Sequence, residues 1–362
     1  MKKDETQPLC GLKRSDFQTT INGKNTDLYI LKNSEGSEVA RTNYGGAIVA
    51  VMMPDKDGNM ANVVHGYSSI DEMKDSKQPF RSTLVGRFAN RIGKGTFQLN
   101  GKHYQLPVNC GGNMLHGGNE GFHRRVWDAF LMNDNTLVLN YTSPYLEEGF
   151  TGEVKTTVVY SLSDSNELAI GYMATTNKKT IINLTNHAYF ALDGTGGTES
   201  SIDKIECEIN ADFYLPVDSD LLPTGEILKV DGTPFDFRKA KPIGQDINAD
   251  NEQIRRGGGY DHCFVLNKKE EGELALAARI KDPGTGRTME IYTTEPGMQV
   301  YSDNEECCGD GKSCGTFPRR SAICFEAQHF PDSPNRPYFP SVVLRPGQQY
   351  KQKTIYRFGV EE

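Results

Sequence analysis

The chain has 362 residues, with 40 lysines and arginines against 48 aspartates and glutamates, for a formal charge of −8. That balance argues against a nucleic-acid partner, which needs clustered cations facing phosphates; Lys178-Lys179 and Arg319-Arg320 are too short for a groove. No apolar run approaches the ~20 residues of a membrane span, and the opening MKKDETQPLCGLKRSDF has no apolar stretch behind its lysines, so no membrane partner and a cytoplasmic location are expected unless a leader was removed.

Taken in chain order, the periodicity is that of strands. Residues 1–15 read as a tail, and residues 16–362 as one large β domain, since no low-complexity tract or composition break divides them. Leu28–Leu31 and Glu38–Thr42 flank a Ser-Glu-Gly turn, and Ala47–Met52 runs to the breaker Pro54-Asp55. Thr96–Leu99 and Lys102–Leu106 flank Asn100-Gly101, the strongest short-range hairpin signal, because both turn residues take positive φ. Further strands are predicted over Lys155–Tyr160, Leu168–Met173, Thr180–Leu184, Thr288–Thr293, Gln299–Tyr301, Val342–Leu344 and Thr354–Phe358. No long run shows helical spacing. With 37 glycines and 17 prolines punctuating the strands, the fold class is all-β, a sandwich or barrel of antiparallel sheets with few short helices.

The side chains that carry chemistry are few. Eight cysteines permit disulfides without requiring them, and Cys307, Cys308, Cys314 and Cys324 lack the repeated pairing of a zinc site, so they read as ordinary thiols in a Gly-rich loop. Of seven histidines, His65 and His103 read as surface or structural and His123 as solvated. His116 (MLHGG), His187 (LTNHAYF) and His262 (GGGYDHCF) stand out for their Gly, Asn and aromatic neighbours. The segment Phe325–Pro337, FEAQHFPDSPNRP, sets Glu326 and His329 among three prolines, whose fixed φ is expected to make a rigid platform. A phosphate-binding loop, a dinucleotide fingerprint, His-Glu-x-x-His and Gly-x-Ser-x-Gly are all missing. Polar residues in glycine-flanked loops beside aromatics suit a sugar, whose hydroxyls need donors and acceptors and whose ring faces sit on aromatic side chains.

Several segments, in order, resemble the aldose 1-epimerase (galactose mutarotase) family. They are Val85-Gly86-Arg87-Phe88-Ala89-Asn90-Arg91-Ile92, Leu115-His116-Gly117-Gly118, Arg125-Val126-Trp127, Glu147-Glu148-Gly149-Phe150 with Gly152, Leu184-Thr185-Asn186-His187 with Tyr189-Phe190, Pro223-Thr224-Gly225, Thr233-Pro234-Phe235-Asp236-Phe237, Tyr260-Asp261-His262, Glu295-Pro296-Gly297 with Gln299, and Glu326 with Gln328-His329-Phe330-Pro331-Asp332-Ser333-Pro334-Asn335. Each is weak alone; their joint order from about Asp16 to Phe358 is specific. The resemblance implies a large antiparallel β-supersandwich with an open sugar cleft, no cofactor and no catalytic metal. By position it implies Glu326 as general base, His187 as general acid, and Asn90, Arg91, His116, Asp261 and Gln299 as substrate-binding residues.

That assignment implies interconversion of the α and β anomers of free hexoses such as glucose and galactose. A base takes the C1 hydroxyl proton, an acid protonates the ring oxygen, and the open aldehyde turns about C1–C2 and recloses. The expectation is an ionised Glu326 and a protonated His187 on opposite sides of the pyranose, with His329 as support. Alternatives are a carbohydrate-binding protein without activity, a glycosidase built on Glu326 and Asp261, or a hexose-phosphate relative using Arg87, Arg91, Arg124 or Arg125. The sequence leaves open the preferred aldose and whether the chain is a monomer or a homodimer.

Overall fold

The computed structural model describes residues 8–194, 201–304 and 317–361. Cys307, Cys308 and Cys314 therefore lie outside the described residues, while Cys324 is a buried thiol on a strand.

Three antiparallel sheets carry the architecture. The largest has nine strands in the order Asp128–Asn133, Thr136–Ser143, Val154–Leu162, Glu167–Thr176, Tyr350–Val360, Arg287–Thr293, Ala275–Lys281, Glu206–Ile209, Lys241–Pro242. A six-stranded sheet runs Tyr189–Phe190, Ile323–Gln328, Gly297–Tyr301, Asp261–Leu266, Ala211–Tyr214, Leu228–Lys229. A four-stranded meander holds Leu28–Lys32, Glu38–Thr42, Ile48–Pro54 and Met60–Asn62. Among the described residues the α-helices are two short ones, Ile70–Asp75 and Glu252–Gly257, with side-chain N-caps from Ser69 and Asn251.

Alternation decides which side chains form the core. In Val154–Leu162 the buried residues are Val154, Thr156, Val158, Tyr160 and Leu162, every second position, as a pleated strand with one covered face requires. Leu139, Val158, Tyr160, Ile170 and Ile291 from the large sheet pack in one cluster with Phe264, Met298, Val300, Ile323 and Phe325 from the six-stranded sheet. The hairpin at Asn100-Gly101 forms with Leu99 opposite Lys102, and both turn residues take positive φ, 53° and 71°.

Two expectations fail, and burial is the reason in both. His123 is 2% exposed and packs on Phe80 with ring centroids 4.4 Å apart, so it is not a solvated side chain. Glu326 is not in a proline-stiffened loop but in the interior of the fully buried strand Ile323–Gln328, with the prolines beginning only at Pro331. The alternation Ile323, Phe325 inward and Cys324, Glu326 to the other face makes ICFEAQ a strand.

Candidate functional site

The same alternation gathers one wall of the site. On the six-stranded sheet Met298 and Val300 point into the core, so Gln299 and Tyr301 face the opposite side. The register sets Gln299 opposite Glu326, and Tyr301 opposite both Asp261 and Cys324. Asp261, Gln299 and Glu326, far apart in sequence, therefore come to one face of three adjacent strands.

The opposite wall is built from loops held by backbone bonds. Leu115 pairs with Arg91 in a two-residue ribbon. Asn90 and His116 both take left-handed conformations, φ 63° and 50°, which tightens the chain around each other. His116 N–H donates to the Asn90 carbonyl at 3.1 Å, and Asn90 N–H donates to His116 Nδ1 at 3.1 Å. The Asn90 side chain accepts from its neighbour's Arg91 N–H at 2.8 Å. Gly117 follows with φ +86°, and a Cβ there would stand 2.0 Å from the Gly86 carbonyl oxygen, so only glycine lets the two loops meet. His187 is fixed by its N–H to Thr83 O at 3.0 Å and by Ser82 N–H to its own carbonyl at 2.9 Å.

The proline segment braces this wall rather than Glu326. Asp332 N–H donates to the Arg91 carbonyl at 2.8 Å, and Asp332 Oδ1 accepts from Gly93 N–H at 3.0 Å. His329 pairs with the buried Glu295 at 2.6 Å, away from the cavity, in keeping with support.

Between the walls lies a cavity of about 130 Å³ lined by Asn90, Arg91, His116, His187, Asp261 and Glu326, together with Phe80, Tyr189 and Tyr301. Six of the seven residues singled out in the sequence thus meet there. The seventh, Gln299, stands behind Asp261, its Nε2 donating to Asp261 Oδ1 at 2.6 Å. His262 does not reach the cavity; it packs against Phe235 and bonds Gln253 at 3.1 Å. The aromatics were not assigned to the site: Tyr189 stood only as a motif residue two after His187, and Tyr301, two after Gln299, and Phe80 were passed over. A larger apolar groove of about 1190 Å³, lined by Tyr172, Phe330, Phe339 and others, contains none of these residues.

At the centre, His187 Nε2 stands 3.5 Å from Glu326 Oε1. The two groups lie side by side, not across a ring from each other. Burial disfavours the charged form of both: it pushes the Glu326 carboxyl well above the ordinary carboxylate range, with Asp261 adding to the rise and Arg91 opposing it. Burial likewise pulls the His187 imidazole down to about 3. Both directions run against the ionised Glu326 and protonated His187 of the expectation. Asp261 is raised by the same burial, with Arg91, 3.9 Å away, and the Gln299 bond opposing.

His116, His187 and Glu326 also offer ligand atoms within 4.8 Å of one another, close enough to hold a metal ion. The Asn90 N–H on His116 Nδ1 speaks against it: a neutral ring accepting there carries its proton on Nε2, which then donates and cannot ligate. The same bond leaves His116, a residue lining the cavity, with a donor at Nε2.

The family model for aldose 1-epimerase matches residues 27–357. Galactose mutarotase from Sus scrofa is 38% identical over 353 residues, 97% of this chain and 100% of that protein. Aldose 1-epimerase from Escherichia coli (strain K12) is 36% identical over 338 residues, 92% and 95% of the two chains. The crystal structure of galactose 1-epimerase from Lactobacillus acidophilus NCFM superposes with a TM-score of 0.82 at 28% identity, covering 95% of this chain and 97% of that one. With a matching model over nearly its whole length, relatives of this identity and coverage, and the same β-rich fold, the chain belongs to the aldose 1-epimerase family.

Proposed function

We infer that this epimerase interconverts the α and β anomers of a free hexose such as glucose or galactose, with Glu326 and His187 as its proton-transfer pair. The observation that carries the reading is the 3.5 Å separation of Glu326 Oε1 and His187 Nε2 in a small polar cavity. The anomeric hydroxyl oxygen and the ring oxygen are bonded to the same carbon, so neighbouring catalytic groups can reach both. At about 130 Å³ the cavity is well below the ~300–1,000 Å³ typical of drug-sized ligands, which suits one small sugar.

On binding, sugar hydroxyls and Arg91 supply the hydrogen bonds an ionised carboxylate needs, and the pair's proton moves from Glu326 to His187. Glu326 then takes the C1 hydroxyl proton. The C1 oxygen forms a carbonyl as the C1–ring oxygen bond breaks, and His187 Nε2–H protonates the departing ring oxygen. The aldehyde turns about C1–C2. The C5 hydroxyl returns its proton to His187 while adding to the other face of C1, and Glu326 protonates the new C1 alkoxide. Atoms and protons balance with no added reactant, so the proposed cycle requires neither cofactor nor metal.

The remaining residues hold the ring. His116 Nε2–H and the Arg91 guanidinium donate to sugar oxygens. Asp261, kept in place by Gln299, accepts from hydroxyls. Tyr189, Tyr301 and Phe80 give apolar contact to C–H faces. Polarimetry of freshly dissolved α-D-glucose and α-D-galactose is expected to show equilibration accelerated in proportion to added protein. A rate no faster than buffer alone, with sugar binding intact, would make this a binding protein instead.

A further inference from the structure

The general acid is not isolated beneath the cavity. Tyr189 lies parallel to His187, ring centroids 5.0 Å apart and planes 11° from parallel. On Tyr189 sits the Arg81 guanidinium, its carbon 4.3 Å from the ring centroid, and Phe317 lies 4.8 Å from the same guanidinium. Arg81 is 1% exposed and its Nη2 is 3.9 Å from Asp303 Oδ1. It also bonds the Gln78 side chain and stands 3.5 Å from His65 Nδ1. A buried cation is thus clamped between two aromatic faces, one of which is the floor under the catalytic imidazole.

We propose that Arg81 and Tyr189 form a positioning column for His187, in which Tyr189 fixes the plane of the imidazole and the Arg81 charge makes its conjugate acid a stronger proton donor to the ring oxygen. This rests on His187 as the proton donor in the reading above. Nothing in the family motifs singled out in the sequence includes Arg81. Among the described residues, the other charged or titratable groups that face His187 are Glu326 at 3.5 Å, His116 at 5.1 Å between centroids, and Tyr301 at 6.2 Å. Burial disfavours the charged forms of Glu326 and His116, and the Arg81 charge opposes protonation of His187 through the stacked ring. The column has a geometric function as well. Among the described residues no side chain hydrogen-bonds His187 Nδ1, so the ring is not oriented by another side chain through that nitrogen, and stacking on Tyr189 takes the task.

The test is an NMR titration of the His187 ring in the wild-type protein and in Arg81→Gln, Arg81→Lys, Tyr189→Phe and Tyr189→Leu, with anomerisation kinetics in parallel. Arg81→Gln is expected to make His187 easier to protonate by about one pH unit, and Arg81→Lys to restore it. Tyr189→Phe keeps the stacked ring and is expected to leave the His187 titration where it is, whereas Tyr189→Leu loses on the order of 10²-fold in kcat relative to Tyr189→Phe through misplacement of the ring. If folded Arg81→Gln titrates His187 as wild type does, or if Tyr189→Leu keeps kcat, the column is only packing. Should Arg81→Gln not fold, the Tyr189→Leu arm still decides whether the stack positions the ring. The titration is read without turnover, so an inactive wild-type protein would overturn the anomerisation reading separately from the column.

Discussion

Replacing Glu326 by glutamine is expected to lower kcat for anomer interconversion by about 10²–10⁴, the usual worth of a positioned acid–base group, while sugar affinity changes little. The substitution is isosteric and lies inside the ladder of the strand Ile323–Gln328, with Gln299 opposite, so the backbone and cavity have no reason to move. The amide neither accepts nor releases a proton at neutral pH, and His187 alone cannot serve both C1 oxygens. Such a loss confined to kcat marks an interaction made in the transition state rather than in binding. A second signature distinguishes this from damage. A carboxyl whose folded pKa is raised costs stability once pH climbs above its unfolded value, because the unfolded chain ionises first. Glu326→Gln removes that cost, so the variant is expected to melt at or above the wild-type temperature at pH 8. Polarimetry, calorimetric sugar titration and a melt together check the result; wild-type kcat would remove Glu326 from the chemistry.

The second large effect is acid sensitivity. His65, His123, His187 and His262 are each drawn by burial to about 3, and His116 well below its ordinary value. The sign follows from proton counting. Between pH ~6.5 and ~3 the unfolded chain protonates these imidazoles and the folded chain does not, so stability is fully present above ~6.5 and drains away as pH falls. Each such histidine is worth about 1.4 kcal/mol per pH unit across that window. Opposing them, Glu326 and Asp261 have raised folded values and favour the folded state as pH drops. His329, raised because its bond and charge contact with Glu295 outweigh burial, also gains as it protonates. Five histidines against these three groups leave a net loss. Urea midpoints taken at pH 7, 6 and 5 are expected to fall steadily; a midpoint flat over that range would mean the imidazoles are not held neutral.

How much of this could be read from the residues depends on the range of the interactions. Local signals were sufficient for Asn100-Gly101, where turn geometry is set by two residues, and for Val154–Leu162, where alternation is plain. The strand Ile323–Gln328 was hidden by its neighbours: the prolines that follow it drew the reading toward a loop, though they brace Arg91 instead. Asp128–Asn133, mostly exposed at a sheet edge, carries too little burial pattern to announce itself. The site was legible where motifs named residues, and six of those seven line the cavity. What no motif conveyed was depth. That His123 and His262 sink into the interior, that Glu326 and His187 sit adjacent, and that burial disfavours the charge on both of the latter all follow from packing between segments distant in sequence.

The arrangement of Glu326 and His187 about one anomeric carbon is tested most directly by a crystal structure of Glu326→Gln with galactose bound, the variant being used so that the sugar stays put. The account predicts the residue 326 side chain within hydrogen-bond distance of the C1 hydroxyl and His187 Nε2 within the same distance of the ring oxygen. A pyranose held with its ring oxygen turned away from His187, or bound outside this cavity, would contradict it.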